Sequence, residues 1–322
     1  MAAELTLLDP QQQLAATVAG NVVVRAGPGS GKTRTLVARA GYLLEAEVSR
    51  FRGVACITYT NAAADEVRHR LRRLGVITEQ RLTCSTLHAF CLNNVLRAFA
   101  PLTGAWLPAA GQVLDEAGAV DLLQRCFDDL GIGDLQARYR LATATKIRRA
   151  IACHETTDSF DPREIQAARR YELRLEAAQA VDFEAMVIRA LRVVRSHEGV
   201  RDLLRARYPH LIVDEYQDLG GVLHQLVLAL RDQADITVSA VGDADQSVFG
   251  FTGADPRYID ELASRPDFAS VELQVNYRSG QAIIQASEAA LGRRGRRRRA
   301  AEGLAAGNVE VSSLVGVLEL HA

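Results

Sequence analysis

A glycine-rich segment near the N-terminus constrains this chain more than any other feature. It reads AGPGSGKT over residues 26–33. The apolar run 22–24 precedes it and a helical pattern begins at Lys32, so the segment joins a buried strand to a helix. Glycines let backbone N–H groups turn inward, and a helix start adds partial positive charge. The segment therefore predicts a phosphate-binding loop, although Ala26 stands where the strict pattern has glycine.

Two side chains of this loop and two acidic residues further along predict nucleotide chemistry. Lys32 can reach the β- and γ-phosphates of ATP, and the Thr33 hydroxyl can ligate Mg²⁺. Asp214 and Glu215 follow the apolar run 211–213. We expect Asp214 to hold Mg²⁺, directly or through water, and Glu215 to orient and deprotonate the attacking water. Such a pair on its own more often caps a helix, but the phosphate loop favours the catalytic interpretation.

Strand and helix patterns alternate along most of the chain and predict a doubly wound α/β domain. Helices are predicted over 32–46 and from the cap at Thr60–Asn61 to Gly75. Between about residues 92 and 180 the helical periodicity contains no clear strand, which predicts a helical insertion. Buried parallel strands are predicted at 22–24, 54–57, 211–213, 236–241 and 271–273.

Composition excludes several classes of protein and leaves others open. The formal net charge is −1, with 38 Lys+Arg against 39 Asp+Glu, so any DNA site has to be a local patch. The five cysteines form no C-x-x-C pair, which predicts reduced, mostly buried thiols. Neither a secretory signal nor a membrane-spanning run is evident, so we expect a cytoplasmic protein without a membrane partner.

Beyond the phosphate loop, seven ordered segments resemble the motifs of the UvrD/Rep-like superfamily 1 DNA helicases. The resemblance covers nearly all of residues 5 to 285 apart from the helical insertion. A P-loop kinase or a transporter-type ATPase is the competing class, but such proteins do not account for the Gln-Asp pair at 217–218 or for the segment Asn-Tyr-Arg-Ser at 276–279. The segments are LDPQQ (8–12), TYTNAAA (58–64), TLHAF (86–90), DF (182–183), DEYQD (214–218), VGDADQSVFGF (241–251) and NYRS (276–279).

The resemblance implies roles for residues around the nucleotide. Gln12 would read the adenine edge, and Arg34 and Tyr277 would hold the adenine between a guanidinium and an aromatic ring. Gln246 would touch the γ-phosphate or the attacking water. Arg278 would neutralise charge developing on the γ-phosphate, with a surface ion pair as the alternative. The phosphate contacts would come from Ala26, Gly27, Pro28, Gly29, Ser30, Gly31, Lys32 and Thr33.

The resemblance also implies a site for single-stranded DNA. Tyr59 and Phe251 occupy positions where family members stack bases, although Tyr59 is equally compatible with a core position. Asn61 belongs to the same segment as Tyr59 and is assigned to the DNA site. His88 would contact a phosphate or support the ATP site. Thr252 stands where the family usually has arginine, which predicts weaker coupling between the ATP and DNA sites.

The domain organisation follows from the same resemblance. It implies a P-loop RecA-like parallel sheet with helices on both faces, formed by residues 1–91 and 181–275. An inserted all-helical subdomain would occupy 92–180, and 276–322 would be the start of a second RecA-like domain. No later family motif follows Ser279. ATP should bind between two such domains, so we expect a partner chain or self-association to complete the cleft.

Two functions of different classes remain open. The first is an ATP-dependent DNA helicase or translocase, moving 3′ to 5′ as the family does, on single-stranded DNA or DNA with a single-stranded tail. The second is a truncated or split module that binds nucleotide and DNA without helicase activity of its own. The arginine-dense stretch 292–299 is equally compatible with backbone phosphate binding and with a solvated, self-repelling tail.

Overall fold

A parallel six-stranded sheet forms the centre of the computed structural model, which describes residues 2–76, 78–104, 113–132, 136–247, 253–292, 298–305 and 307. Adjacent strands pair in parallel in the order β3-β2-β4-β5-β1-β6. The strands are β1 (Asn21–Ala26), β2 (Val54–Thr58), β3 (Leu82–Thr86), β4 (His210–Val213), β5 (Thr237–Gly242) and β6 (Phe268–Leu273).

The five predicted strands are confirmed, and β3 is an additional one. Its sequence LTCST carries two threonines and a serine and lacks the branched apolar run that marks the other strands. β3 lies at the edge of the sheet, and four of its five residues are only partly buried. An edge position tolerates polar residues, so hydrophobicity alone does not reveal this strand.

Fourteen α-helices occur in the described part of the chain. The first six are α1 (Ala2–Thr6), α2 (Pro10–Thr17), α3 (Lys32–Tyr42), α4 (Asn61–Arg73), α5 (Leu87–Phe90) and α6 (Arg97–Thr103), with π-helical turns at Leu43–Glu47 and Cys91–Leu96. The others are α7 (Glu116–Asp129), α8 (Ala137–Cys153), α9 (Pro162–Ala177), α10 (Phe183–Ser196), α11 (Glu198–Arg207), α12 (Gly221–Asp232), α13 (Arg257–Ser264) and α14 (Gln281–Ala290).

Both faces of the sheet are covered by helices, which confirms the predicted α/β class. Alternate residues of a strand point to opposite faces. Val23 of β1 packs in one core with residues of α10 and α12, whereas Val22 and Val24 pack in a second core with residues of α3 and α4. Burial on both faces explains why the central strands read as continuous apolar runs.

Helices α7, α8 and α9 share a core with the start of α10, built around Leu123, Phe127 and Tyr171. The helical character predicted for this stretch is confirmed over its described residues. The π-helical turn at Cys91–Leu96 contributes instead to the core beneath the sheet. The four-part division of the chain at residues 91, 180 and 275 stays a prediction.

A buried charge network joins the helical layer to the sheet domain. Arg148 of α8 donates from Nη1 and Nη2 to the two Asp182 carboxylate oxygens at 2.7 and 2.9 Å. The Tyr171 hydroxyl donates to Asp182 at 2.8 Å, and the Ala185 backbone N–H donates at 2.7 Å. Asp182 therefore caps α10 and neutralises a buried guanidinium at the same time.

After β6 the chain forms a small second sheet, β7 (Val275–Asn276) with β8 (Arg299–Ala300), and α14 lies between these strands in sequence. All five cysteines are free thiols, as predicted, and Cys153 is the one that is incompletely buried. No helix among the described residues is both long and apolar enough to cross a membrane.

Candidate nucleotide site and the adjoining surface

The phosphate loop leaves β1 at Ala26 and enters α3 at Lys32. Gly29 and Gly31 have φ of 71° and 82°, in the left-handed region that glycine tolerates best. The Ser30 hydroxyl donates to the Gly27 carbonyl at 2.7 Å and tightens the turn. A Cβ built on Gly31 would lie 2.6 Å from Gln12 Nε2, so this position requires glycine both for its backbone and for space.

The strand order brings the loop to the acidic pair. β1, β5 and β4 are neighbours in the sheet and parallel, so their carboxyl ends meet at one edge. Lys32 Nζ donates to Glu215 Oε2 at 2.8 Å and to Gln246 Oε1 at 3.3 Å. Three predicted catalytic side chains, from segments far apart in sequence, are therefore in direct contact.

Glu215 has an unusual backbone conformation. Its φ of 49° and ψ of 47° are left-handed, which costs a residue with a side chain about 1–2 kcal/mol. The surrounding contacts hold it there, because its backbone N–H donates to Asp214 Oδ1 at 3.0 Å and its carboxylate accepts from Gln217 Nε2 at 2.8 Å. The turn aims the carboxylate at the phosphate loop, and strain of this kind is typical of functional sites.

The acidic pair perturbs its own ionisation. Burial, and then the negative charge of Glu215, raise the pKa of Asp214 to about 6, while the positive charge of Lys32 acts in the opposite direction. Burial, and then Glu215, likewise raise the pKa of Asp218 to about 6. A cation beside these carboxylates would favour their charged forms. Thr33 is the second residue of α3, at the start of the same helix as Lys32.

Gln217 and Asp243 connect the two motifs that follow β4 and β5. The Asp243 backbone N–H donates to Gln217 Oε1 at 3.0 Å, and Gln246 Nε2 donates to Asp243 Oδ2 at 2.8 Å. Both residues lie inside motifs that the sequence had identified, but sequence reasoning gave them no role. Their positions in the segments DEYQD and VGDADQ could have indicated a role. The structure shows that Gln217 accepts from the Asp243 backbone and that Asp243 accepts from the Gln246 amide.

The three residues predicted to surround the adenine already have protein partners. Gln12 is fully buried, its Nε2 donates to the Ser30 carbonyl at 3.0 Å, and its Oε1 accepts from the Asp9 backbone. Arg34 Nε donates to Glu4 Oε1 at 3.1 Å. The contact of Gln12 with an adenine therefore stays a prediction, while its support of the loop is visible.

Tyr277 lies close to Arg34 and is 42% exposed. Burial, then the hydrogen bond that its hydroxyl donates to Asp9 at 2.7 Å, raise the pKa of Tyr277 to about 12, against the nearby positive charge of Arg34. Arg34 and Tyr277 thus lie near each other, and their contact with an adenine stays a prediction.

The NYRS segment packs against the phosphate loop. The Tyr277 backbone N–H donates to the Gly29 carbonyl at 2.7 Å, and Asn276 Nδ2 donates to the Pro28 carbonyl at 2.8 Å. Asn276 Oδ1 accepts from the backbone N–H of Arg278 at 2.8 Å. Arg278 is exposed and adjoins the loop, because a Cβ built on Gly29 would lie 2.7 Å from Arg278 Cβ.

A second group of predicted residues borders a cleft of ≈ 110 Å³ next to the nucleotide site. Tyr59 is 45% exposed, so the core alternative for this ring is wrong. His88 lines the same cleft, its ring lies edge-on to Phe183 with centroids 5.6 Å apart, and burial lowers its pKa. Asn61 begins α4 and is exposed. Phe251 and Thr252 lie outside the described residues.

Comparison with known proteins identifies the family. The sequence model of the UvrD/REP helicase N-terminal domain matches residues 7–267, which is most of the chain. The chain belongs to the UvrD/REP helicase family. It is 33% identical over 311 residues to ATP-dependent DNA helicase UvrD1 of Mycobacterium tuberculosis, covering 90% of this chain and 40% of that protein.

Other relatives in the UvrD/REP family show the same pattern. DNA helicase II of Escherichia coli is 30% identical over 291 residues, which cover 88% of this chain and 40% of the relative. ATP-dependent DNA helicase PcrA of Staphylococcus aureus is 27% identical over 286 residues, which cover 86% of this chain and 38% of the relative. The chain thus spans about 40% of the length of the relatives it matches.

Proposed function

We propose that this chain binds ATP with Mg²⁺, binds single-stranded DNA, and forms the ATP-hydrolysing part of a UvrD/Rep-type DNA helicase or translocase with 3′-to-5′ polarity. The observation that carries the proposal is the contact of Lys32 with both Glu215 and Gln246 at the carboxyl edge of the sheet. A phosphate-loop lysine, an acidic residue and an amide that can contact a γ-phosphate are the groups that nucleotide hydrolysis needs in one place.

The residues at this edge fit a magnesium ion. Thr33 offers a hydroxyl oxygen and Asp214 a carboxylate oxygen, which are the ligand types that Mg²⁺ prefers. Among the described residues no cluster of three or more His, Cys, Asp or Glu could hold a metal without help, so phosphate oxygens and water would complete the shell. Bound there, Mg²⁺ would neutralise charge on the β- and γ-phosphates.

Glu215 is the proposed general base. Lys32 donates to its carboxylate, and the phosphate oxygens of a bound nucleotide would draw the Lys32 ammonium away. Gln217 would then keep the Glu215 carboxylate aimed at the attacking water. Gln246 would contact the γ-phosphate or that water, and Arg278 would stabilise negative charge as the bond to the γ-phosphate breaks.

Base binding is proposed between Arg34 and Tyr277, with Gln12 at the adenine edge. The guanidinium and the phenol ring are flat and complementary to a purine face. Glu4 and Asp9 accept hydrogen bonds from these two side chains and would orient them toward the base. Ala26, Gly27, Gly29, Ser30 and Gly31 would present backbone N–H groups to the phosphates, and Pro28, which has no N–H, would shape the loop around them.

Single-stranded DNA is proposed to cross the surface that carries Tyr59. An exposed aromatic ring can stack on any base, and such stacking contributes about 1–3 kcal/mol per base. Asn61 and His88 border the same surface and would contact the DNA backbone, and Phe251 is proposed as a second stacking residue. A cytoplasmic location and a partner chain or second copy that completes the cleft belong to the same proposal.

The test is ATP hydrolysis by the purified chain with and without a single-stranded oligonucleotide. Glu215→Gln is measured beside it to detect a contaminating helicase, and Glu198→Gln, on exposed helix α11, serves as a charge-matched control. DNA-stimulated turnover that disappears only in Glu215→Gln supports the proposal.

A second candidate is a nucleotide- and DNA-binding module without turnover of its own. It is favoured by the exposed side chain of Arg278, which adjoins the loop without covering it. Bound ATP and bound DNA without turnover would support this module. Loss of ATP binding altogether would overturn both candidates.

A further inference from the structure

Arg298, within the arginine-dense stretch, has its side chain at the nucleotide site. Arg298 immediately precedes β8, and its side chain is only 14% exposed. β8 is fixed beside β7 because the Arg299 N–H donates to the Gln274 carbonyl at 2.9 Å and the Ala301 N–H to the Asn276 carbonyl at 2.8 Å. Arg298 therefore belongs to an ordered strand end, which excludes the solvated-tail alternative for this residue.

The Arg298 guanidinium lies over the first turn of the phosphate loop. A Cβ built on Gly27 would be 2.5 Å from Arg298 Nη1 and 2.6 Å from its Cζ. Gly27 has an ordinary negative φ, so its lack of a side chain makes room for the guanidinium rather than relieving the backbone. The close approach shows that the loop and the guanidinium share one packed surface.

On its other side the guanidinium faces Asp243. Arg298 Nη2 lies 3.6 Å from Asp243 Oδ2, and the Asp243 side chain is 5% exposed. The same Oδ2 accepts the hydrogen bond from Gln246 Nε2 at 2.8 Å, and Gln246 Oε1 accepts from Lys32 Nζ at 3.3 Å. A continuous chain of polar contacts thus runs from the strand after α14 to the phosphate-loop lysine.

Asp243 has a clear reason to need this partner. A buried carboxylate is costly unless a cation or hydrogen-bond donors compensate its charge. The Gln246 amide and the Asp245 backbone N–H supply two donors, the latter to Oδ1 at 3.2 Å, and Arg298 supplies the positive charge. With the charge compensated, the carboxylate keeps one orientation and so fixes the amide of Gln246.

We propose that Arg298 is a positioning residue for γ-phosphate recognition: it orients Asp243, and Asp243 holds the Gln246 amide where a γ-phosphate would be sensed. The inference rests on the proposed ATP-binding function of this site. Residue 275 is the predicted boundary between the two RecA-like domains, and Arg298 lies after it whereas Gln246 lies before it. The contact through Asp243 would therefore connect the segment that begins at Asn276 to Gln246, the residue proposed to contact the γ-phosphate.

The experiment compares two dissociation constants on the intact chain, one for ADP and one for a non-hydrolysable ATP analogue, both with Mg²⁺. The variants are Arg298→Ala, Arg298→Lys and Asp243→Asn, and Arg125→Ala on exposed helix α7 is the matched control. Thermal unfolding of each variant checks folding, and Arg298→Gln replaces Arg298→Ala if the alanine variant does not fold.

Arg298→Ala is expected to reduce the preference for the ATP analogue over ADP about tenfold, because one charge-assisted contact is lost, with ADP affinity within about twofold of wild type. Arg298→Lys should restore part of the preference because it keeps the charge. Combining Arg298→Ala with Asp243→Asn should add no further loss, since both act on Gln246.

Three results overturn the inference, and they differ from failure of the proposed function. If Arg298→Ala has the same ratio of ADP to ATP-analogue dissociation constants as the wild type, Arg298 does not position Gln246. Fully additive losses in the double variant mean that the two residues act separately. Tighter ADP binding by Arg298→Ala means that the guanidinium occupies phosphate space. If the wild-type chain binds neither nucleotide, the ATP-binding function itself is refuted.

Discussion

Replacing Glu215 with glutamine should tighten nucleotide binding while it stops hydrolysis. Lys32 Nζ donates to Glu215 Oε2 at 2.8 Å, and the two side chains are 13% and 34% exposed. Phosphate must therefore compete with a carboxylate for the same ammonium group. The glutamine variant keeps the side-chain shape and the contact with Gln217 but removes the negative charge.

The magnitude follows from the partial exposure of this pair. Exposed ion pairs contribute about 0.2–1 kcal/mol, and hydrogen bonds to charged groups in less exposed positions contribute about 1.5–3 kcal/mol. If the Lys32–Glu215 ion pair contributes about 1 kcal/mol, its removal should tighten the binding of ADP or ATP roughly fivefold, because phosphate no longer has to break the pair. Loss of the general base should slow hydrolysis by about 10²–10⁴-fold.

The assay is titration of a fluorescent nucleotide, followed by competition with unlabelled ADP and ATP, for wild type, Glu215→Gln and the control Glu198→Gln. Tightening should appear only in Glu215→Gln and should shrink as salt concentration rises, because screening weakens the pair in the wild type. Equal or weaker binding by Glu215→Gln would refute the competition between Glu215 and phosphate for Lys32.

Other substitutions test the remaining parts of the structure. Asp182→Ala should lower the free energy of unfolding by about 3–5 kcal/mol in urea titrations, because buried Arg148 loses one of its two carboxylate partners and α10 loses its N-cap. Burial works to raise the pKa of Asp182, but that arginine and other donors bring it below its usual range. Its stabilisation is therefore complete above the unfolded pKa of about 3.9 and is lost as pH falls through the folded value, so Asp182→Asn should flatten the acid limb of a stability–pH curve. Gly31→Ala should weaken ADP binding at least about tenfold through left-handed backbone strain, whereas Gly199→Ala, with open space around it and an ordinary φ, should leave binding unchanged. Tyr59→Ala should cost about 1–3 kcal/mol of affinity for a labelled single-stranded oligonucleotide by fluorescence anisotropy, and Tyr139→Ala on exposed α8 should cost nothing.

The sequence alone determined the features that depend on local pattern. The glycine spacing of the phosphate loop needs particular backbone conformations, and Gly29 and Gly31 adopt them. Buried parallel strands need continuous apolar runs, so five strands and the α/β class were predictable. The acidic pair could be located because it follows such a run, and the ordered motifs indicated the family that the comparison confirmed.

Tertiary structure decided which of these groups touch and in what state. Lys32 and Glu215 are 183 residues apart, and only the neighbouring order of β1, β5 and β4 brings them to 2.8 Å. The edge strand β3 exists because β2 offers it a partner, since its polar sequence gives little hydrophobic signal. Arg298 lies in a stretch whose composition alone is equally typical of a solvated tail, and the pairing of β8 with β7 brings it to Asp243. Such contacts depend on the path of the whole chain, which no local pattern contains.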